Sequence, residues 1–400
     1  MVFSKLNPLS SKKLKKALDI NGDGSIGLDD VKAVFTGERR DVQEELTAKE
    51  FVEQRAKAAW SKLEPRFVLL SVAVQKRERA TQHWLRSRLP FGQDQKVYSI
   101  IEDLIRQFED QELAMFRTEY AAQVLKVKEL DNQLADVKAT MAMQDAVAVA
   151  VGKYERTVKK LTASIVKETT KRVATLHSFR VRMHSYGVEL SDEEAEVLMS
   201  RIDAGDVTRM SSIFVVISAI TRQFESAKKD SGENLGVTKK YYGIYIGLLE
   251  LQMQIQSTYL RKIDKQYLPG VARIAEEAKD LVAETQLKMK RHKDNHKDQY
   301  RQNMSAQEFT INVTKIYSTA LRADREKVAQ ARELIEGLHD LAQNTLSTVR
   351  VSADLSSLIQ QAEGMYQEVM SLHTPAIVPF ENLQLKKEFE AVTSRLQNKV

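Results

Sequence analysis

An all-α fold is predicted by three features of the sequence. Six prolines occur in 400 residues, at 8, 65, 90, 269, 375 and 379, so proline-free runs extend over 91–268 and 270–374. Proline lacks the amide hydrogen a helix interior needs, and sheet-rich folds need frequent turn residues, so runs of that length favour long helices. Apolar residues in these runs recur at alternating steps of three and four, the spacing of one helix face. Hydrophobic residues make up 42% of the chain and charged ones 29%, which argues for packed cores with wet outer faces and against disorder. The expected architecture is a small N-terminal module (1–40), an elongated helical bundle or coiled-coil body (45–372) and a tail (373–400).

The module opens with a short helix. Ser10 or Ser11 caps SKKLKKAL, in which Leu14 and Leu18 share a face. Residues 19–30, DINGDGSIGLDD, follow, and Val31, Val34 and Phe35 supply the apolar positions of an exiting helix that Gly37 ends. The acidic stretch has the makings of a cation site. Calcium is a hard ion that takes about six to eight oxygen ligands. Side chains at alternate positions 19, 21 and 23 turn inward together because Gly24 permits a sharp bend.

This spacing resembles an EF-hand calcium loop over its full length, and its DxNxDG form is most similar to the loops of dockerin modules. The resemblance implies side-chain ligation by Asp19, Asn21, Asp23 and Asp30, backbone ligation by the Ser25 carbonyl, and a water held near Gly27. Ile26 stands where EF-hands place the hydrophobic residue of their inter-loop pairing. The last ligand is aspartate rather than glutamate. Its shorter arm delivers one oxygen, which weakens calcium binding and admits magnesium as an alternative ion. Dockerins carry paired loops, whereas a single loop is found here. A lone EF-hand pairs with another copy or a non-standard loop, which points to self-association.

GERRDVQEEL links the module to the body. A first helical segment, about 45–88, ends at Leu89-Pro90-Phe91-Gly92. Leu113, Phe116, Tyr120, Val127, Leu130, Leu134, Val137 and Met141 then form a heptad stripe with Gln123 as the one polar member, as in a coiled coil. Shorter stripes run through Val271, Ile274, Ala278 and Leu281, and through Ile335, Leu338, Ala342, Thr345 and Val349. Turn chemistry marks breaks at Tyr186-Gly187, at Asp203-Ala204-Gly205-Asp206 and at KKDSGENLG (228–236). Ser191 with Glu194 forms a capping box at the start of SDEEAEVLMSRI. SSIFVVISAI (211–220) is too short for a membrane span and reads as a buried helix. In KKYYGIYIGLLELQMQIQ (239–256), Gly243 and Gly247 offer a close approach to a second helix, within what reads as a packed core helix. The tail carries Leu385, Phe389, Val392 and Leu396 on one face, suited either to docking a partner or to closing the bundle.

Several function classes are disfavoured. The chain has no cysteine, which removes disulfides, thiolate metal sites and cysteine nucleophiles. No Walker, Rossmann or nucleophile-elbow spacing occurs, and His83, His177, His184, His339 and His373 stand apart from any nucleophile. His292 and His296 share a helix face, but a solvated charged surface explains them better than a transition metal. An enzyme is not expected. The N-terminus lacks an apolar signal-peptide core, so a cytoplasmic protein is expected, with peripheral membrane association as an addition. The leading reading is a non-enzymatic scaffold or assembly protein, oligomeric through protein partners or self-association, with calcium as cofactor. The alternative is a peripheral membrane or polyanion binder. Its basic helical surfaces would be the Lys12–Lys16 run or the stretch 288–301; nucleic acid is the disfavoured partner because base-stacking residues do not interleave the basic runs.

Overall fold

Proline-free runs become long helices. The computed structural model describes residues 47–81, 91–143, 148–230, 235–291, 297–347 and 383–397, with no strand among the described residues. In chain order the helices are α1 (Ala48–Thr81), α2 (Phe91–Phe108), α3 (Gln111–Met143), α4 (Ala148–Ser185) and α5 (Asp192–Ser200). They continue as α6 (Ala204–Asp230), α7 (Leu235–Lys262), α8 (Leu268–Arg291), α9 (Lys297–Ser347) and α10 (Leu383–Gln397). Two compact units result. The first contains Met115–Val181; the second contains the described residues of Leu46–Ala114 and Arg182–Val400, so the division falls inside α3 and α4.

The described part of the first unit is an antiparallel two-helix hairpin. Gln123 Nε2 donates to Thr175 Oγ1 at 3.0 Å, which sets the register of α3 against α4. The heptad stripe is the least exposed line of α3: Tyr120 and Leu130 are buried, and Phe116, Gln123, Val127, Leu134, Val137 and Met141 are half-buried. The facing stripe of α4 behaves alike, with Leu176 buried and Val158, Leu161 and Ile165 half-buried.

In the second unit α7, a π-helical turn (Ile263–Tyr267) and α8 run on without a break, and α9 returns along them. The π turn has a local cause. Pro269 lacks an amide and its ring crowds the preceding turn; the wider π turn, in which the Leu268 N–H donates to the Ile263 carbonyl, absorbs it within a continuous rod. Helix α1 packs on α2, α6 and α7. A Cβ on Gly243 would meet Ser71 Oγ at 2.5 Å, and one on Gly247 would meet Leu70 Cδ2 at 3.3 Å, so both glycines serve the close α1–α7 approach. The core holds Leu63, Phe67 and Leu70 of α1 and Phe108 of α2, with Ile213, Phe214 and Ile217 of α6 and Tyr245 and Leu248 of α7. Each large apolar side chain so buried contributes about 1.5–3 kcal/mol.

The breaks fall where turn chemistry puts them. Helix α4 ends in a Schellman motif: Gly187 is left-handed (φ 76°), its N–H donates to the His184 carbonyl at 2.8 Å, and Val188 donates to Met183 at 3.1 Å. The capping box forms with both reciprocal bonds, Glu194 N–H to Ser191 Oγ at 3.1 Å and Ser191 N–H to Glu194 Oε2 at 2.8 Å. Ala204–Phe224 is apolar enough to cross a membrane, but 78% of that window is buried in the fold, and 211–220 is a core helix as its sequence suggests. One stripe needs correction: Val271, Ile274 and Ala278 are buried, whereas Leu281 is 48% exposed, because α8 presents a narrower face than the spacing implies. In the third stripe Ile335, Leu338, Ala342 and Thr345 are buried, and Val349 lies outside the described residues. The tail helix closes the bundle. Phe389, Val392 and Leu396 of α10 are buried, and the Phe389 ring stacks on Tyr317 of α9 at 4.3 Å and 9°.

Candidate functional site

The metal-loop residues Asp19, Asn21, Asp23, Ser25 and Asp30 lie outside the described residues, as do His292 and His296. Among the described residues no group of three or more His, Cys, Asp or Glu is arranged to hold a metal ion. Buried polar groups converge in three clusters of the second unit, beside smaller pairs such as Lys386 with Glu196.

The deepest cluster lies where α5 gives way to α6. Arg201 leaves the helix in an extended conformation (φ −81°, ψ 149°) and turns inward, where it is 2% exposed. Its Nε and Nη2 donate to both oxygens of Asp203, at 2.9 and 2.6 Å, and Nη2 also reaches Asp324 of α9. Tyr259 of α7 donates to Asp203 at 2.8 Å. The Ile202 N–H donates to the Tyr317 hydroxyl at 2.6 Å, which lies 2.9 Å from Thr393 of α10, and Thr393 donates to the Ser200 carbonyl at 2.7 Å. Asp203 also holds the first turn of α6, its carbonyl accepting from Asp206 and Val207. One guanidinium thus faces two carboxylates in a site closed to water. Burial raises the Asp324 carboxyl above its ordinary range, the Asp203 charge adds to that, and Arg201 only partly offsets them. Burial likewise pushes the Tyr259 and Tyr317 hydroxyls up, so both remain neutral donors or acceptors.

The second cluster centres on Asp110, in the two-residue gap between α2 and α3. Its Oδ1 caps α3 through the amides of Glu112 and Leu113, at 2.9 and 3.3 Å. Its Oδ2 accepts from Arg182 Nε at 2.8 Å and from the Tyr186 hydroxyl at 2.6 Å, with Arg55 Nη1 at 3.2 Å. Burial pushes the Asp110 carboxyl up, but the Tyr186 and Arg182 hydrogen bonds and the two guanidinium charges outweigh it, so the group sits below the ordinary carboxylate range. The Arg182 guanidinium also lies over the Phe51 ring, 4.8 Å from its centre.

The third cluster joins α1, α7 and α9. Glu250 accepts from Arg77, and His339 Nε2 lies 3.4 Å from its Oε1 and 3.2 Å from Gln343. Burial pushes the Glu250 carboxyl up, yet the hydrogen bonds from His339 and Arg77 hold it down at about 2. The sequence places His339 alone; the fold gives it a carboxylate partner 89 positions away, a pairing no local spacing signals. Asp203 and Asp206 read as turn residues, and both prove to be acceptors as well: Lys262 and Tyr267 each reach Asp206 at 2.6 Å.

Chemically these clusters are ties between helices. Each sets a carboxylate against arginine, tyrosine or histidine from other elements. An open groove of about 710 Å³ lies beside the second cluster, lined by Arg55, Lys62, Arg66, Arg106, Leu63 and Phe108, and two of its cations, Arg66 and Arg106, turn to Asp103. The chain matches no family model, no curated protein and no solved structure.

Proposed function

We propose that this chain is a non-enzymatic helical scaffold or assembly protein whose N-terminal module, 1–40, binds calcium. The observation that carries the scaffold reading is the use made of buried charge. Arg201 with Asp203 and Asp324, Asp110 with Arg55 and Arg182, and Glu250 with Arg77 each fix helices distant in sequence to one another. Buried ion pairs cost desolvation and add geometric definition, so three of them favour a stiff frame whose outer surfaces present partners. The spacing of Asp19, Asn21, Asp23, Ser25 and Asp30 supports the calcium reading, and the single loop supports self-association.

Isothermal titration of the full chain tests the module. Calcium binds with a Kd of roughly 10⁻⁵ to 10⁻³ M, Asp19→Ala abolishes the heat, and Asp30→Glu tightens calcium while leaving magnesium nearly unchanged, because the longer arm completes only the larger shell. Absence of heat in the wild type at millimolar calcium would reduce the loop to a relic. Sedimentation velocity with calcium and with chelator tests assembly, and a monomer in both removes self-association from the reading.

A further inference from the structure

The charge of this protein is concentrated in one helix. Nine basic and two acidic residues stand in α4, a surplus of seven that exceeds the +6 of the whole chain. Its hairpin partner α3 carries four basic and five acidic residues. Within the first unit the α4 cations are ordered. Arg156, Lys159, Lys160, Lys167 and Lys171 are all exposed, and at about 100° per residue they fall within an arc of about 120° along roughly 22 Å of helix. Val158, Leu161 and Ile165 occupy the other side, which is the half-buried seam side of the helix, and half-buried Val166 borders the row next to Lys159.

Among the described residues, neighbours leave most of the row unpaired. Lys171 pairs with Glu168 at 2.8 Å, whereas Arg156, Lys159, Lys160 and Lys167 have no acidic partner among the described residues. The same line carries Ala163 between the cations and Ala174 just beyond Lys171, both exposed and both too small to hold a flat surface away from the lysines.

We propose that this face of α4 docks the protein onto an anionic lipid surface. A straight, one-sided row of exposed cations matches a plane of negative headgroups, where each lysine or arginine adds to the attraction. Nucleic acid fits less well. A two-helix hairpin is about 20 Å across, wider than the major groove of about 12 Å that admits one helix. Stacking on bases needs exposed rings, and in this unit Phe116 and Tyr154 are half-buried while Tyr120 and Phe179 are buried. The inference does not rest on the calcium loop.

Co-sedimentation of the full chain, in chelator so that the loop is empty, with vesicles of phosphatidylcholine doped with phosphatidylserine tests it. Binding is expected at low salt, absent on pure phosphatidylcholine, and lost as salt rises between about 0.05 and 0.5 M. Replacing three cations, Arg156→Gln, Lys160→Gln and Lys167→Gln, weakens it roughly 100-fold. The exposed pair Lys315→Gln with Arg322→Gln on α9 leaves it unchanged, and Lys160→Arg with Lys167→Arg retains it. Circular dichroism confirms that the variants keep their helices. The proposal is overturned by failure to bind anionic vesicles at low salt or by full binding of the triple variant, which would move the site elsewhere, for instance to the Lys12–Lys16 run. Tighter binding to a DNA duplex than to the vesicles would overturn it too.

Discussion

The hairpin of the first unit and the bundle of the second are built from the same kind of helix, yet they exclude water by different means. In the hairpin, α3 and α4 each have one neighbour among the described residues of the unit, and beyond Leu130 the seam residues Leu134, Val137 and Met141 stay half-buried. In the bundle, α7 has α1, α6 and α9 around it, and Tyr242, Tyr245, Tyr259 and Leu249 are buried. A pair of cylinders covers one stripe on each, whereas three or more close over the stripe from both sides. Polar groups follow suit. The hairpin's carboxylates are exposed except for half-buried Glu168, while the bundle takes Asp110, Asp203, Asp324 and Glu250 inside and matches each with a donor from another helix. Charge left outside is available to partners, and charge taken inside sets geometry.

The sharpest way to break this contrast is at Arg201. In Arg201→Met the carboxylates of Asp203 and Asp324 face each other without a counterion, and the cost is about 3–5 kcal/mol. Hydrogen exchange should show α6 and α9 losing protection while residues 120–141 of the hairpin keep theirs. Equal loss in both would mean that the two units unfold as one.

Acid gives the next largest effect. Glu250 is held down at about 2 in the fold, against an unfolded value of about 4.3, so its contribution is fully present above that value and is lost as the pH falls from there towards 2. The loss is on the order of 3 kcal/mol and Asp110 adds to it in the same direction. Asp324 is raised instead, so it opposes folding as it ionises and adds nothing to the acid loss. Urea denaturation between neutral and acid pH should show a steep acid limb for the bundle that flattens in Glu250→Gln. An equally steep limb in that variant would assign the acid loss to other carboxylates.

The smallest change sharpens the hairpin side. Gln123 and Thr175 meet across the seam, and the Gln123 Oε1 is buried without a partner. Replacing both by apolar groups, Gln123→Leu with Thr175→Val, should be neutral or stabilising by about 1 kcal/mol. Cysteine cross-linking across the seam should then detect more than one register, since the polar pair no longer selects one. A marked loss of stability would instead make the pair a source of binding energy.

Sequence alone determined what depends on near neighbours in the chain. Scarce proline set the helical class, Tyr186-Gly187 and the Ser191–Glu194 box set helix ends, and the stripe from Leu113 to Met141 named the inner face of α3 residue by residue. Each rests on sterics, capping or periodicity within one or two turns, which the residue order states directly. The charge surplus of α4 was equally present in the sequence, in residues 148–185, but it becomes a surface only when the opposite face of that helix is committed to a seam. Tertiary structure alone decided which stripe met which, that Leu281 stays outside, that the tail helix folds back onto Tyr317, and that Arg201 finds Asp324 across 123 positions. Those outcomes come from packing among many amphipathic helices of similar pattern. Periodicity tells each helix which side to bury but does not tell it against whom, and the choice is made by the fit of shapes and the pairing of buried charge.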